Sequence, residues 1–197
     1  MKVIIDCGHG ISTPGKRSPK GMLASDPEVT VFYEYSFNRD ILCRMEPLMK
    51  EAGIEYFVLV PEIRDISLSV RARRANQFHL DNPDCFLLSI HANAGGGTGY
   101  EVFTSPGVTK ADKLAEIVFE HAKKALEPLG FRMRTDKSDG DHDKEAKFYM
   151  LTKTSMPAIL TENLFYDNEK DLAFLISDEG RQTIAQYHVD ALKEIML

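Results

Sequence analysis

Short apolar runs alternate with helical segments along this chain, and that alternation narrows the fold more than any other property of the sequence. Val3–Asp6, Tyr56–Val60, Asp84–Ile90, Tyr100–Thr104 and Pro157–Thr161 are too short for helices and are bounded by Gly, Pro or Asn, so they read as strands. Between them, Phe37, Ile41, Met45, Leu48 and Met49 form the stripe of a helix that starts near Tyr33 and stops at Gly53. Ser67 or Ser69 is placed to cap a second helix through Val70, Arg71, Ala72 and Ala75 that finishes before Asn82-Pro83. Asp112–Leu126, Glu169–Ile176 and Glu179–Leu197 supply three more. Strands separated by helices pair in parallel through crossovers and place helices on both faces of the sheet. Tyr100–Thr104 follows its predecessor after a glycine loop too short for a crossover, so one antiparallel pair is expected. The expected fold is therefore α/β: one domain over residues 1–197, with a mostly parallel mixed central sheet flanked by helices on both faces.

Composition removes several functional classes. At 197 residues the chain fits one domain and can bury its own core without disulfides, and we expect a monomer. A net charge of −6 argues against nucleic acid or an anionic membrane as the main partner. Cys7, Cys43 and Cys85 are scattered, form no CxxC pair and all three read as small buried apolar residues. Met1-Lys2 runs straight into the first strand, and no apolar stretch is long enough to span a bilayer. The expectation is a chain made in the cytoplasm without an export signal or membrane insertion and acting only after release, or one whose leader has been removed.

The residues able to do chemistry gather at strand ends, where ligands bind in open α/β sheets. His9 follows the first strand after Cys7-Gly8, His91 follows the buried strand ending at Ile90, and Glu162 follows Thr161. Glu34 stands at the start of the first long helix, where the chain returns from a loop running from Ile11 to about Thr30. Two imidazoles and one carboxylate are the usual protein set for catalytic zinc, with the fourth position left to water. A second carboxylate outside the metal set can move the proton. Each residue alone has an ordinary alternative: a surface histidine, a helix-start carboxylate, a strand-end glutamate. Asp141-His142-Asp143 offers another metal-like cluster, although on the polar stretch Arg134–Lys147 it reads as a solvated surface patch.

Taken together, IIDCGHG, Glu34 with Asn38, SVRARRAN, FLLSIHANA with GYEVF, and PAILTENLFYDN resemble the zinc N-acetylmuramoyl-L-alanine amidases of the amidase-3 type, over nearly the whole chain. The resemblance implies Zn2+ as cofactor, His9, Glu34 and His91 as its ligands, Glu162 as the catalytic acid/base, and peptidoglycan as substrate. Asn93 is a candidate to support His91, Glu101 to line the cleft, and Arg71 and Asn76 to serve helix hydrogen bonds. This chain departs from the family where Cys7 replaces a more usual Pro, where Ile11–Pro19 replaces a run of small residues, and where Asn163-Leu164-Phe165 stands at a common glycine-phenylalanine pair. The TPGKRSP loop is similar to that of phage or prophage lysins. Two other readings share these groups: a zinc amidohydrolase or carboxypeptidase acting on another acyl-amino acid, and a non-catalytic zinc-stabilised wall-binding module.

Overall fold

The computed structural model describes residues 1–22, 31–138 and 140–196. Its strands are β1 (Lys2–Cys7), β2 (Tyr56–Val58), β3 (Cys85–Asn93), β4 (Glu101–Thr104), β5 (Lys144–Glu145) and β6 (Ala158–Phe165). The helices are α1 (Glu34–Glu51), α2 (Leu68–Asp81), α3 (Lys110–Leu126), α4 (Tyr149–Thr152), α5 (Glu169–Ile176) and α6 (Asp178–Met196). One sheet runs in the order β2-β1-β3-β6-β4-β5. The first four of these strands are parallel to one another, and β4 meets β6 antiparallel. The expected mostly parallel, mixed sheet is what forms.

Residues of opposite parity in the central strands feed two cores. Val3, Ile5 and Cys7 of β1, with Phe86, Leu88 and Ile90 of β3, join Phe37, Ile41, Met45 and Met49 of α1 and the apolar faces of α3, α5 and α6. Ile4, Leu87, Ala158 and Leu160 point the other way, onto Ala72 and Ala75 of α2 and Met150 and Leu151 of α4. Burial on both faces explains why these strands read as unbroken apolar runs rather than alternating ones.

The structure corrects the sequence reading in five places. Cys7 and Cys85 are buried, but Cys43, on the solvent side of α1, is exposed. β3 continues through Asn93 and β6 through Phe165, so His91 and Glu162 lie inside strands rather than just past them. The antiparallel partner of β4 is β6, because β6 slots between β3 and β4. The polar stretch Arg134–Lys147 is not all loop: Lys144–Glu145 pairs with β4. Neither Ser67 nor Ser69 caps α2 through its side chain; their hydroxyls face each other at 3.2 Å. Of the expected long loop, residues 23–30 lie outside the described residues.

Candidate metal centre and active site

β1 ends at Cys7, opposite Ile90 of β3, and this delivers His9, just past its strand, and His91, the next residue of β3, to one edge. Gly8 makes their approach workable, since a Cβ there would lie 2.1 Å from the His91 ring. His9 itself turns with φ 62°, a left-handed conformation that costs a non-glycine residue of order 1–3 kcal/mol and persists only where the surroundings impose it. Glu34, fully buried, is the first residue of α1, where the helix dipole favours a carboxylate. Its Oε1 stands 3.0 Å from His91 Nδ1 and 3.2 Å from His9 Nε2. Burial alone would raise the Glu34 carboxyl, but the neighbouring imidazoles His9 and His91 outweigh it and hold the group well below the usual carboxylate range.

These donors fit a tetrahedral cation. Ligands at about 2.0–2.1 Å from zinc lie about 3.3–3.4 Å from one another, close to the two spacings on Glu34 Oε1. The His91 contact also has hydrogen-bond geometry. The His9 contact does not: His9 Nε2 and Glu34 Oε2 are both enclosed without a hydrogen-bond partner. The two imidazole rings stand edge to face, centroids 4.9 Å apart, and one donor atom from each of His9, Glu34 and His91 lies within 4.8 Å of the others. A second trio, Glu116, Glu120 and His142, behaves differently. His142 Nδ1 bonds Glu116 Oε1 at 2.7 Å and its ring lies flat on Phe119, while Lys123 donates to Glu120. Asp143 turns instead to the Thr104 hydroxyl, so Asp141-His142-Asp143 does not converge on a metal-binding point through His142.

Glu162 pairs in register with His91 on one side and Glu101 on the other. Its Oε2 is enclosed and receives no hydrogen bond. Burial, reinforced by the charges of Glu34 and Glu101 against those of His91 and Lys16, pushes its carboxyl up to about 8. Such a group can hold or release a proton near neutral pH. Just beyond it the pairing slips: His91 and Asn93 face Glu162 and Phe165, a β-bulge that leaves Leu164 at φ 66° with its side chain buried. Asn163, inside the bulge, donates to the His91 carbonyl at 2.7 Å and accepts from the Tyr187 hydroxyl.

The remaining sequence candidates occupy other places. Asn93 does not reach the His91 ring; its amide donates to Glu101 at 2.6 Å, and Asn163 supports His91 instead. Glu101 is buried and also accepts from Arg134 and Lys144, forming a polar knot beside Glu162. Arg71 leaves its own helix to bond Asp6 and the carbonyls of Cys7, His9 and Ile66. Asn76 docks α2 on the turn at Lys153 and Ser155. Sequence reasoning missed Arg39, whose guanidinium grips the His9 carbonyl, and Lys16, whose ammonium lies 3.7 Å from Glu34 Oε2. Lys16 carried a signal, a basic residue in the departing loop; Arg39, one charge among many on an amphipathic helix, carried none.

The family described as N-acetylmuramoyl-L-alanine amidase, Amidase_3, matches residues 3–194. The N-acetylmuramoyl-L-alanine amidase CwlM of Bacillus licheniformis is 33% identical over 195 residues, covering 98% of this chain and 67% of that protein. The endolysin of Bacillus phage SPP1 is 31% identical over 203 residues, covering 98% of this chain and 65% of its own length. The chain thus spans about two thirds of such relatives. The crystal structure of an N-acetylmuramoyl-L-alanine amidase from Clostridium difficile 630 superposes with a TM-score of 0.76 at 25% identity, over 99% of this chain and 96% of that one.

Proposed function

This chain belongs to the Amidase_3 family of N-acetylmuramoyl-L-alanine amidases, which cut the amide between N-acetylmuramic acid and L-alanine in peptidoglycan, and we propose that it does so with Zn2+ held by His9, Glu34 and His91 and with Glu162 as acid/base. The observation that most directly supports this reading is the convergence of His9 Nε2, Glu34 Oε1 and His91 Nδ1 on one point, with Glu162 in register beside His91. Zinc bound there would lower the pKa of a water towards neutrality and polarise the carbonyl it attacks.

The protein's own contribution is the movement of one proton. Glu162 takes it from the attacking water as the new C–O bond forms at the lactyl carbonyl carbon. It returns the proton to the alanine nitrogen as the C–N bond breaks, and the water's second proton passes from the new carboxyl group to the released amine, leaving a carboxylate on the glycan and an ammonium at the start of the stem peptide. Glu34 stays ionised throughout, because its pKa is held low. Asn163 and Tyr187 keep the His91 peptide fixed while Glu162, one strand away, changes charge.

The test is digestion of purified peptidoglycan followed by mass spectrometry of the new ends. Stem peptides beginning with a free L-alanine amine, lost on chelation and restored by Zn2+, are the expected product. Glu162→Gln should keep the metal and lose about 10²–10⁴-fold in turnover, whereas His9→Ala should lose the metal. Intact wall after digestion with metal-loaded protein would transfer the assignment to another acyl-amino acid substrate. Undiminished turnover by E162Q would remove the assigned base.

A further inference from the structure

His9 needs a support that its own sequence does not provide. Its φ of 62° lies in the left-handed region, uncommon for any residue but glycine although histidine enters it more readily than most, so the conformation has to be held by its surroundings. Two guanidinium groups meet at its carbonyl oxygen: Arg39 Nη1 at 3.1 Å and Arg71 Nη2 at 3.1 Å. Arg71 is fixed before it reaches His9. It is 2% exposed, pairs with Asp6 at 2.7 Å and bonds the Cys7 and Ile66 carbonyls. Arg39 is held differently. Among the described residues its hydrogen bonds go to carbonyls only: His9, Tyr35 at 3.1 Å and Glu62 at 2.7 Å.

Those three acceptors define what Arg39 does. Tyr35 follows Glu34 directly in the first turn of α1, and Glu62 lies on the segment after β2. One planar fork therefore ties the His9 peptide to the helix that carries Glu34 and to the neighbouring loop. A lysine could not do this, because a single ammonium lacks the rigid spacing of donors. Among the described residues Arg39 makes no ion pair with a carboxylate, and a cation so placed close to a cation site is electrostatically unfavourable, so a guanidinium at this position points to a geometric task.

We propose that Arg39 is a positioning residue for the metal centre: it holds the His9 peptide in its left-handed turn and locks it to the start of α1, so that His9 Nε2 and Glu34 Oε1 face each other before a cation arrives. The proposal rests on His9 and Glu34 being metal ligands. Support of this kind commonly changes metal affinity by about 10- to 100-fold when it is removed.

The experiment titrates Zn2+ alone into the purified chain, wild type and Arg39→Gln, in competition with a chelating dye. It is accompanied by melting of the metal-free proteins and a metal-free crystal structure of each. R39Q should bind the same number of ions about 10- to 100-fold more weakly, with His9 relaxed to negative φ. Arg39→Lys should recover part of the affinity. Equal Zn2+ affinity in folded R39Q overturns the proposal, including the case in which only the melting temperature falls, since that describes a purely structural arginine. Should wild type bind no Zn2+ through His9, the metal reading fails separately. The clamp is then judged by His9 φ in the two metal-free structures, and an unchanged value rejects it. Should R39Q not fold, R39K, which keeps the charge and loses the fork, carries the same comparison.

Discussion

Leu164 combines two demands that normally exclude each other, a left-handed backbone and a fully buried branched side chain. The family resemblance favours glycine near this position, and the structure shows why a glycine suits the bulge. The competing terms can be separated by substitution. Truncating the side chain costs about 2–5 kcal/mol in a packed core, whereas the left-handed conformation costs a non-glycine residue about 1–2 kcal/mol. Both Leu164→Ala and Leu164→Gly should therefore be less stable than wild type. L164G should be the more stable of the two by about 1 kcal/mol, reversing the usual order within strands. Urea denaturation of both variants checks the order, and an alanine variant more stable than the glycine variant would show that the bulge is unstrained.

At the level of elements, the short connection after β6 is tied to the glycine loop by two carboxylates, Asp167 at the surface, which accepts from the backbone of Gly95 and Gly96, and Asp171 within. Asp171, buried in the first turn of α5, accepts from the backbone N–H of Phe165 at 3.0 Å and of Gly99 at 2.8 Å, and from the Thr98 hydroxyl at 2.8 Å. It joins the end of β6 to the glycine loop between β3 and β4. Asp171→Asn replaces an acceptor with a donor in a site full of donors and should cost about 1–3 kcal/mol. Hydrogen exchange should speed up first at Phe165 and Gly99, and uniform exchange across the sheet would argue against a local role. Elements were also where the sequence was most legible. β1 and β3 announce themselves as apolar runs closed by glycine turns, which placed His9 and His91, and the helices show their stripes. The order of strands was not legible, because apolar runs buried on both faces carry no sign of which neighbour they take. The bulge at Leu164 and the short β5 were hidden for a related reason, since each depends on pairing with a strand distant in sequence. Arg39 stayed hidden because its partners are backbone carbonyls, which every residue has.

Across the whole molecule, pH-dependent stability should bear the mark of His188. This histidine sits on α6 with no exposed surface, its Nε2 3.1 Å from the Thr161 hydroxyl and its Nδ1 2.8 Å from the Ile184 carbonyl. Burial pushes its imidazole down to about 4. The unfolded chain, with an ordinary histidine near 6.5, therefore takes up a proton over a range in which the folded chain refuses it. Stability from this group is complete above about pH 6.5 and declines as pH falls towards about 4, by on the order of 3 kcal/mol. His188→Gln should lose that slope relative to wild type between those limits. Parallel stability curves for the two proteins, measured by urea midpoint, would show that His188 titrates normally.

The position of β6 has a consequence for how the protein comes into being. β3 and β4 are close in sequence, yet the place between them belongs to a strand made some seventy residues later. A growing chain can offer His9, Glu34 and His91 long before residue 158 is made, but the gap beside His91 stays unfilled until β6 arrives with Glu162. Contacts that span so much sequence form late and slowly. On the proposed role of Glu162, hydrolytic competence is thus tied to the synthesis of β6, and a nascent chain that stops before it carries the donors for a cation without the group assigned to move the proton.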